Sequence, residues 1–267
     1  MEEDRSTPVT FDTSVAHIAR VYDYWLGGKD NYAADRAAGD DALRAYPNLV
    51  FSVRANRAFL ARTVRYLAGE AGIRQFLDIG TGIPTANNTH QVAQSVAPAC
   101  RVVYVDNDPI VLSHARALMA SGPLGACDYI DADVRDTQTI LAEAARTLDF
   151  SQPVAVMLIA ILHLIGDEDD PSGIVAKLMG AVPPGSYLAM SHVASDIEPE
   201  KMAEMGRRLN RLLAQKGTYR NHAEVARLFE GLEMVEPGVV PIPQWRSDSE
   251  VEAKTPAAMW GGVGRKT

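Results

Sequence analysis

Three textures follow one another along the chain. From about Ser14 to Ala71 apolar residues recur at helical spacing, interrupted by "GGKDN" at 27–31 and by Pro47. Within "FSVRANRAFLARTVRYLA", Val53, Phe59, Leu60, Val64 and Leu67 share one face of a long predicted helix, since positions three, four and seven apart lie on the same side. After Ala71, short β-branched runs at 75–79, 101–106, 127–131, 153–159 and 186–191 alternate with helical stretches at 86–97, 109–121, 137–148, 171–181 and 199–215. That alternation predicts an α/β fold: a Rossmann-like, mostly parallel sheet with helices on both faces. Pro153 suits the first residue of a strand, and "PPG" at 183–185 suits a turn before one. The last part changes again. A helix is expected over 222–230 and a short strand over 231–236; "PGVVPIPQW" crosses over, and "AAMWGGVGRK" makes a final strand. Residues 1–12 are polar and expected to be loose.

The change of texture predicts an N-terminal helical extension, residues 1–70, acting as a lid on an α/β domain of residues 71–267. Composition agrees with a substantial core: 47% of the 267 residues are hydrophobic and 22% charged. The net charge of −8 opposes polyanions, because phosphate binding needs clustered basic residues. Arg54, Arg57, Arg62 and Arg65, and likewise Arg207, Arg208 and Arg211, are spaced as solvated helix faces. Cys100 and Cys127 form no CxxC pair and read as buried thiols of a reducing compartment. The N-terminus lacks a basic-then-apolar leader, and the longest apolar run, "VAVMLIAILHLI" at 154–165, is shorter than the about 20 residues a membrane span needs. The expectation is a cytoplasmic protein, monomer or homodimer, with no nucleic-acid or membrane partner.

The chemistry begins at "FLDIGTGIPT", residues 76–85. An apolar strand ends in Asp78, and Gly80 and Gly82 follow, as in a turn that lets backbone approach a ligand. A second strand ends in Asp106 and Asn107. Asp106 is about 26 residues past the first glycine, near the spacing of an acid that binds a ribose diol. Asp108 precedes Pro109 and reads as a helix cap, which leaves Asp106 free for a ligand. The third strand ends in "YIDADVRD", where Asp133 and Val134 could frame a purine. A dinucleotide would place its pyrophosphate against the turn, where Asp78 repels it, and no GxxxxGK is present for a triphosphate. S-adenosylmethionine carries an ammonium and a sulfonium and no phosphate, so it suits the turn best.

These residues resemble class I S-adenosylmethionine-dependent methyltransferases. "LDIGTGIP" is similar to their first motif, although Pro84 departs from the usual third glycine. "VVYVDNDP" is similar to the ribose-binding strand end, "DADVRD" to the adenine-binding loop, and "MLIAILHLIGDEDDP", with Ile159 and Ala160, to the strand and loop facing substrate. "ARVYDYWLGGKDNYAADR", "VRANRAFLARTVRYL" and "MWGGVGRK" resemble a narrower S-adenosyl methyltransferase family, formerly a domain of unknown function in actinobacteria. The resemblance implies a seven-stranded Rossmann-like sheet and an S-adenosyl-L-methionine site, and no particular acceptor.

"VYDYWLGGKDNY" has two readings. The aromatic residues are a stripe packed on the sheet, or they form a lid hinged at Gly27–Gly28, with Tyr22 and Tyr32 as walls and Asn31 as polar anchor. Aromatic faces would also suit a sulfonium. Methyl transfer mainly needs alignment in a water-poor site, with a base only if the acceptor must lose a proton. His163, after the fourth strand, is the candidate catalytic residue; its alternative is a histidine bonded within an apolar loop. His192 is a second candidate for the substrate side. The histidines show no metal-ligand spacing, and no GxSxG turn supports a hydrolase. The predicted activity is methyl transfer to a small-molecule acceptor. The alternatives are a non-catalytic regulatory or assembly protein that binds S-adenosylmethionine, and, more weakly, an NAD-dependent oxidoreductase.

Overall fold

The helix-forming N-terminal texture becomes three helices: α1 (Ile18–Leu26), α2 (Ala33–Ala45) and α3 (Leu49–Gly69). The structure, a computed structural model, describes residues 12–111 and 122–267. The "GGKDN" break works by conformation: Gly27, at φ 84°, ends α1 in the left-handed region that side chains disfavour. Asp35 then ties the starts of both helices together. Its buried carboxylate accepts the N–H groups of Tyr32 (2.8 Å) and His17 (2.9 Å) and the Nε of Arg20 (3.0 Å).

The sheet strands are β1 (Gln75–Ile79), β2 (Arg101–Asp106), β3 (Ala126–Asp131), β4 (Ala155–Ile159), β5 (Tyr187–Val193), β6 (Glu233–Met234), β7 (Val240–Pro241) and β8 (Met259–Arg265). They lie in the order β3-β2-β1-β4-β5-β8-β6, and β7 also pairs with β8. The first five are mutually parallel, while β8 runs antiparallel to β5, β6 and β7. The predicted mostly parallel sheet is present. β1 and β4 are buried along their whole length, as expected where helices cover both faces. Alternate residues face opposite sides. Phe76, Val102 and Met157 pack with Phe59, Val64 and Leu67 of α3, whereas Leu77, Val103 and Leu158 join a second core with Ile140 and Leu178. That second core draws on α5 (Thr137–Ala144) and α6 (Pro171–Gly180). A third cluster binds α1, α2 and the start of α3 to α7 (Pro199–Leu212) through Trp25, Tyr46, Val53, Met202 and Met205.

Several boundaries differ from the pattern reading. The helix predicted over 86–97 is α4 (Thr89–Val96), which begins where Asn88 and Gln91 form a capping box. The helix expected over 222–230 is α8 (His222–Arg227), and the strand over 231–236 contracts to β6 between Gly231 and Pro237. The helix predicted over 109–121 starts as expected, but residues 112–121 lie outside the described residues. Arg62 is not solvated: it is buried, with Nε donating to Trp245 O (2.9 Å) and Nη2 to Ile242 O (2.8 Å), and it pairs with Glu252 of α9 (Glu250–Ala253). Cys100 is buried and Cys127 half-buried; both are free thiols. Among the described residues no helix is long and apolar enough to cross a membrane, and no cluster of His, Cys, Asp or Glu could hold a metal ion.

Candidate functional site

The strand order reverses between β1 and β4, so the helices that follow these strands diverge and leave a crevice at their C-terminal ends. A single cavity opens there. One side is built from the ends of β1, β2 and β4; the other lies beneath α1, α3 and α7.

On the strand side, Gly80 (φ 77°) and Gly82 (φ 63°) turn the chain sharply after β1. A Cβ at Gly80 would lie 2.6 Å from Ile161, so this position also needs glycine for space. The turn is pinned to β2: Gly80 N–H donates to Val105 O (2.8 Å) and Gly82 N–H to Asp106 Oδ2 (2.7 Å). Asp106 Oδ1 accepts the Asp108 N–H (3.0 Å). Each Asp106 oxygen thus already holds one backbone N–H, which fixes the carboxylate at the cavity wall and leaves a second lone pair on each oxygen. Asp108 does cap the next helical segment through the Ile110 N–H (2.9 Å), and it also faces His17 Nδ1 at 2.8 Å. Burial pushes the Asp106 carboxyl up. It acts the same way on Asp108, where His17 and the Ile110 N–H outweigh it and hold the group below the usual range.

Asp78 is buried at the cavity wall and accepts a hydrogen bond from Thr89 Oγ1 (2.6 Å). Burial pushes its pKa up to about 6, and among the described residues no cation forms an ion pair with it. A buried carboxylate in that state would be stabilised by a cationic ligand. α4 starts nine residues beyond Gly80, so no helix N-terminus opens at the glycine turn itself. Arg57 of α3 takes over the intervening loop, donating to Ala86 O and Asn87 O, both at 3.1 Å. The spacing of Arg57 suggested solvated surface, but it lines the cavity.

Asn107, Asp133 and Val134 all reach the cavity. The Asp133 carboxylate accepts from Asn107 Nδ2 (3.0 Å) and Arg135 Nη1 (2.8 Å), so it comes to the site already bridged. Ile159 and Ala160 are also at the wall. Ala160 has a positive φ of 53°, a costly geometry for a residue with a Cβ. A buried chain of hydrogen bonds supports it. Its N–H donates to Ser191 Oγ (3.0 Å), and Ser191 Oγ donates to Asn56 Oδ1 (2.6 Å). Asn56 Nδ2 donates to Tyr22 Oη (3.0 Å), which donates to Val53 O (3.2 Å). Tyr22 of α1 is therefore tied through α3 to the end of β4. Asn56 and Ser191 were missed in the sequence. The usable signal was Asn56 itself, a polar residue three positions after Val53 and four before Leu60, on the apolar face of α3.

Two residues of the aromatic N-terminal motif lie away from the cavity wall. Asn31 stands behind it: its Nδ2 donates to Asp23 Oδ2 (2.9 Å) and Gly28 O (3.0 Å), bracing a carboxylate that does line the cavity. Tyr32 is exposed, with the Arg20 guanidinium 5.5 Å from its ring centroid. A Cβ at Gly28 would collide with the Asp23 carboxylate at 1.9 Å.

His163 lines the cavity beneath the helices, and its Nδ1 is buried with no partner among the described residues. Burial, with smaller contributions from His192 and Arg220, pulls its pKa down to about 3. His192 is fully buried and outside the cavity wall. Its Nδ1 lies 2.8 Å from Val193 O and its Nε2 accepts from Arg220 Nη1 at 3.0 Å, so it is a neutral structural group and not part of the substrate side.

A family model described as S-adenosyl methyltransferase matches residues 4–267. Among solved structures, a DUF574 family protein from Streptomyces avermitilis MA-4680 is 49% identical, with 96% of this chain and 99% of that chain covered and a TM-score of 0.93. A protein from Thermobifida fusca YX, provisionally described as a methyltransferase, is 44% identical over 98% of this chain and 99% of that chain, with a TM-score of 0.89. A family 2 O-methyltransferase from Planctomyces limnophilus DSM 3776, solved with apigenin, shares the fold at 18% identity and a TM-score of 0.51, over 92% of this chain and 65% of that one. Among curated proteins none matches the chain.

Proposed function

Since the chain belongs to the S-adenosyl methyltransferase family, whose cofactor is S-adenosyl-L-methionine, we propose that it methylates a small molecule bound on the helical side of the cavity. The observation that carries this reading is the continuity of one cavity from the glycine turn to the pocket under α1 and α7. Donor and acceptor can then share a space closed by protein.

In this reading Asp78 takes the cationic end of the cofactor beside Gly80 and Gly82. Asp106 and Asn107 take the ribose, and Asp133 and Val134 flank the adenine. Bound S-adenosylmethionine supplies a methyl group on a sulfonium, an already activated leaving group. The chain's part is alignment and exclusion of water. Ile159 and Ala160 form the wall between the two sides, and the hydrogen bonds through Ser191 and Asn56 hold that wall in its strained shape. His163 is assigned as a neutral hydrogen-bonding partner for the acceptor. With a pKa near 3 it is too weak a base to hold an abstracted proton at neutral pH. The acceptor's proton then leaves to solvent after transfer, or the acceptor arrives without it. α1 and α2 act as the cover, with Tyr22 as its inner contact.

Calorimetry with S-adenosylhomocysteine tests the cofactor assignment: saturable binding is expected, with NAD giving none. Incubation of S-adenosylmethionine with a pool of cellular metabolites should yield S-adenosylhomocysteine. Failure to bind the first, or a diphosphate seated at residues 78–82 in a crystal, overturns the reading. Added S-adenosylhomocysteine should also protect residues 26–32 from proteolysis; unchanged cleavage removes the cover assignment alone.

A further inference from the structure

The helical side of the cavity carries information about what it accepts. Trp25, Leu49, Met202, Met205 and Leu209 supply an apolar wall from α1, α3 and α7. Among the described lining residues there is no lysine. The one lining arginine, Arg57, is committed to the loop carbonyls of Ala86 and Asn87. Asp23 keeps its negative charge on this side, since its partners, the Asp30 N–H and Asn31 Nδ2, are neutral donors. An anionic acceptor would therefore lose hydration on this side, beside the Asp23 carboxylate and with Arg57 turned to the loop.

Two neutral polar groups stand together in this apolar setting. Tyr219 lines the cavity, its ring centroid is 6.4 Å from that of His163, and its hydroxyl makes no hydrogen bond among the described residues. His163 leaves its Nδ1 unpartnered. The tyrosine ring sits in a seat made of two glycines. A Cβ on Gly206 of α7 would lie 2.9 Å from one ring edge, and a Cβ on Gly217 would lie 3.0 Å from the other. Asn210 fixes the Gly217 side by accepting its N–H (2.7 Å) and donating to its carbonyl (3.0 Å). Buried polar groups normally have partners. Here the buried His163 Nδ1 lacks one, and beside it the half-buried Tyr219 hydroxyl is also without a hydrogen bond among the described residues.

We infer that the acceptor is a largely apolar molecule without negative charge that bears a hydroxyl or carbonyl oxygen, held at that oxygen by Tyr219 and His163 and along its body by Trp25, Met202 and Met205. The inference rests on the methyltransferase reading for the word acceptor; the binding preference itself can be measured without cofactor.

The test uses the full-length protein and a fixed set of probes: 2-naphthol, naphthalene and 2-naphthoate. Their dissociation constants are measured by calorimetry with and without saturating S-adenosylhomocysteine. The expected order is 2-naphthol tightest, with naphthalene weaker and 2-naphthoate weaker than 2-naphthol by more than about tenfold. Tyr219→Phe should weaken 2-naphthol by about five- to tenfold while leaving naphthalene and S-adenosylhomocysteine unchanged. Gly206→Ala, which displaces the ring and keeps the hydroxyl, should weaken 2-naphthol in the same direction. Binding of 2-naphthoate as tight as 2-naphthol, no binding of 2-naphthol at all, or an unchanged constant in Tyr219→Phe overturns the inference. Loss of S-adenosylhomocysteine binding by the unaltered protein overturns instead the methyltransferase reading, and the probe constants without cofactor still decide this one.

Discussion

The two sides of the cavity are built on opposite plans. At the strand ends nearly every polar group is already engaged: Asp106 holds two backbone N–H groups, Asp133 is bridged to Arg135, and Arg57 clamps a loop. Under the helices the wall is largely apolar; Tyr22, Asn56 and Asp23 are engaged, while His163 Nδ1 and the Tyr219 hydroxyl have no partner among the described residues. Asp78 is the exception on the first side, a buried carboxylate that among the described residues accepts from one hydroxyl and forms no ion pair. A preorganised site meets a ligand of fixed chemistry, so its dipoles can be set in advance. A wall that relies on shape and one oxygen contact leaves room for variation in the second ligand. In the proposed reading the constant partner lies at the strands and the variable one under the helices.

The largest test falls on Asp78. Asp78→Asn removes the carboxylate proposed to take the cationic end of the cofactor, and S-adenosylmethionine affinity should fall by about 1.5–3 kcal/mol in calorimetry. The same change should raise the thermal midpoint of the ligand-free protein, since burial makes the charge costly there. A variant that binds normally and melts lower would break the comparison. The buried hydrogen-bond chain comes next. Ser191→Ala leaves Asn56 Oδ1 without its donor and removes one support of Ala160, so stability should drop by about 1–3 kcal/mol in urea unfolding. Undiminished stability would show that the strained wall holds without it.

The pH dependence of cofactor binding is smaller and has a defined sign. Asp78 in the free protein takes up a proton as pH falls through about 6, and a cationic ligand requires it ionised. Affinity should be full above that point and fall by about tenfold for each unit below it. A flat profile between pH 7 and 5 would remove Asp78 from contact with the cation. His163 should add no inflection near neutrality, because its pKa lies near 3. The smallest effect is expected at Asp108. Asp108→Ala removes the cap on the Ile110 N–H and the contact to His17, costing about 1 kcal/mol of stability with cofactor affinity nearly unchanged.

Much of this architecture could be read from the residue pattern, because it depends on local periodicity. The strand-helix alternation after residue 71, the buried runs of β1 and β4, the Gly27 break and the apolar stripe of α3 each follow from neighbours a few positions apart. The glycine turn was legible for the same reason: a short motif carries its own backbone requirement. Harder to read were the groups whose meaning depends on a distant partner. Arg57 and Arg62 have the spacing of surface residues, yet one clamps a loop about thirty residues on and the other ties α3 to the carbonyls of Ile242 and Trp245. Asn31 looked like a ligand anchor and is a brace for Asp23. His163 and His192 are similar in sequence setting; Arg220, arriving from beyond α7, makes one of them purely structural.

By itself the amino-acid order determined the class of sheet, the position of the ligand turn and the sign of the charge beside it, because each is written in a contiguous stretch. Only the tertiary structure decided which polar groups are engaged and which are left open. Burial and hydrogen bonding between segments more than a hundred residues apart, as between Asn56 and Ser191, set a group's pKa and its availability to a ligand, and chain order holds no record of those distances.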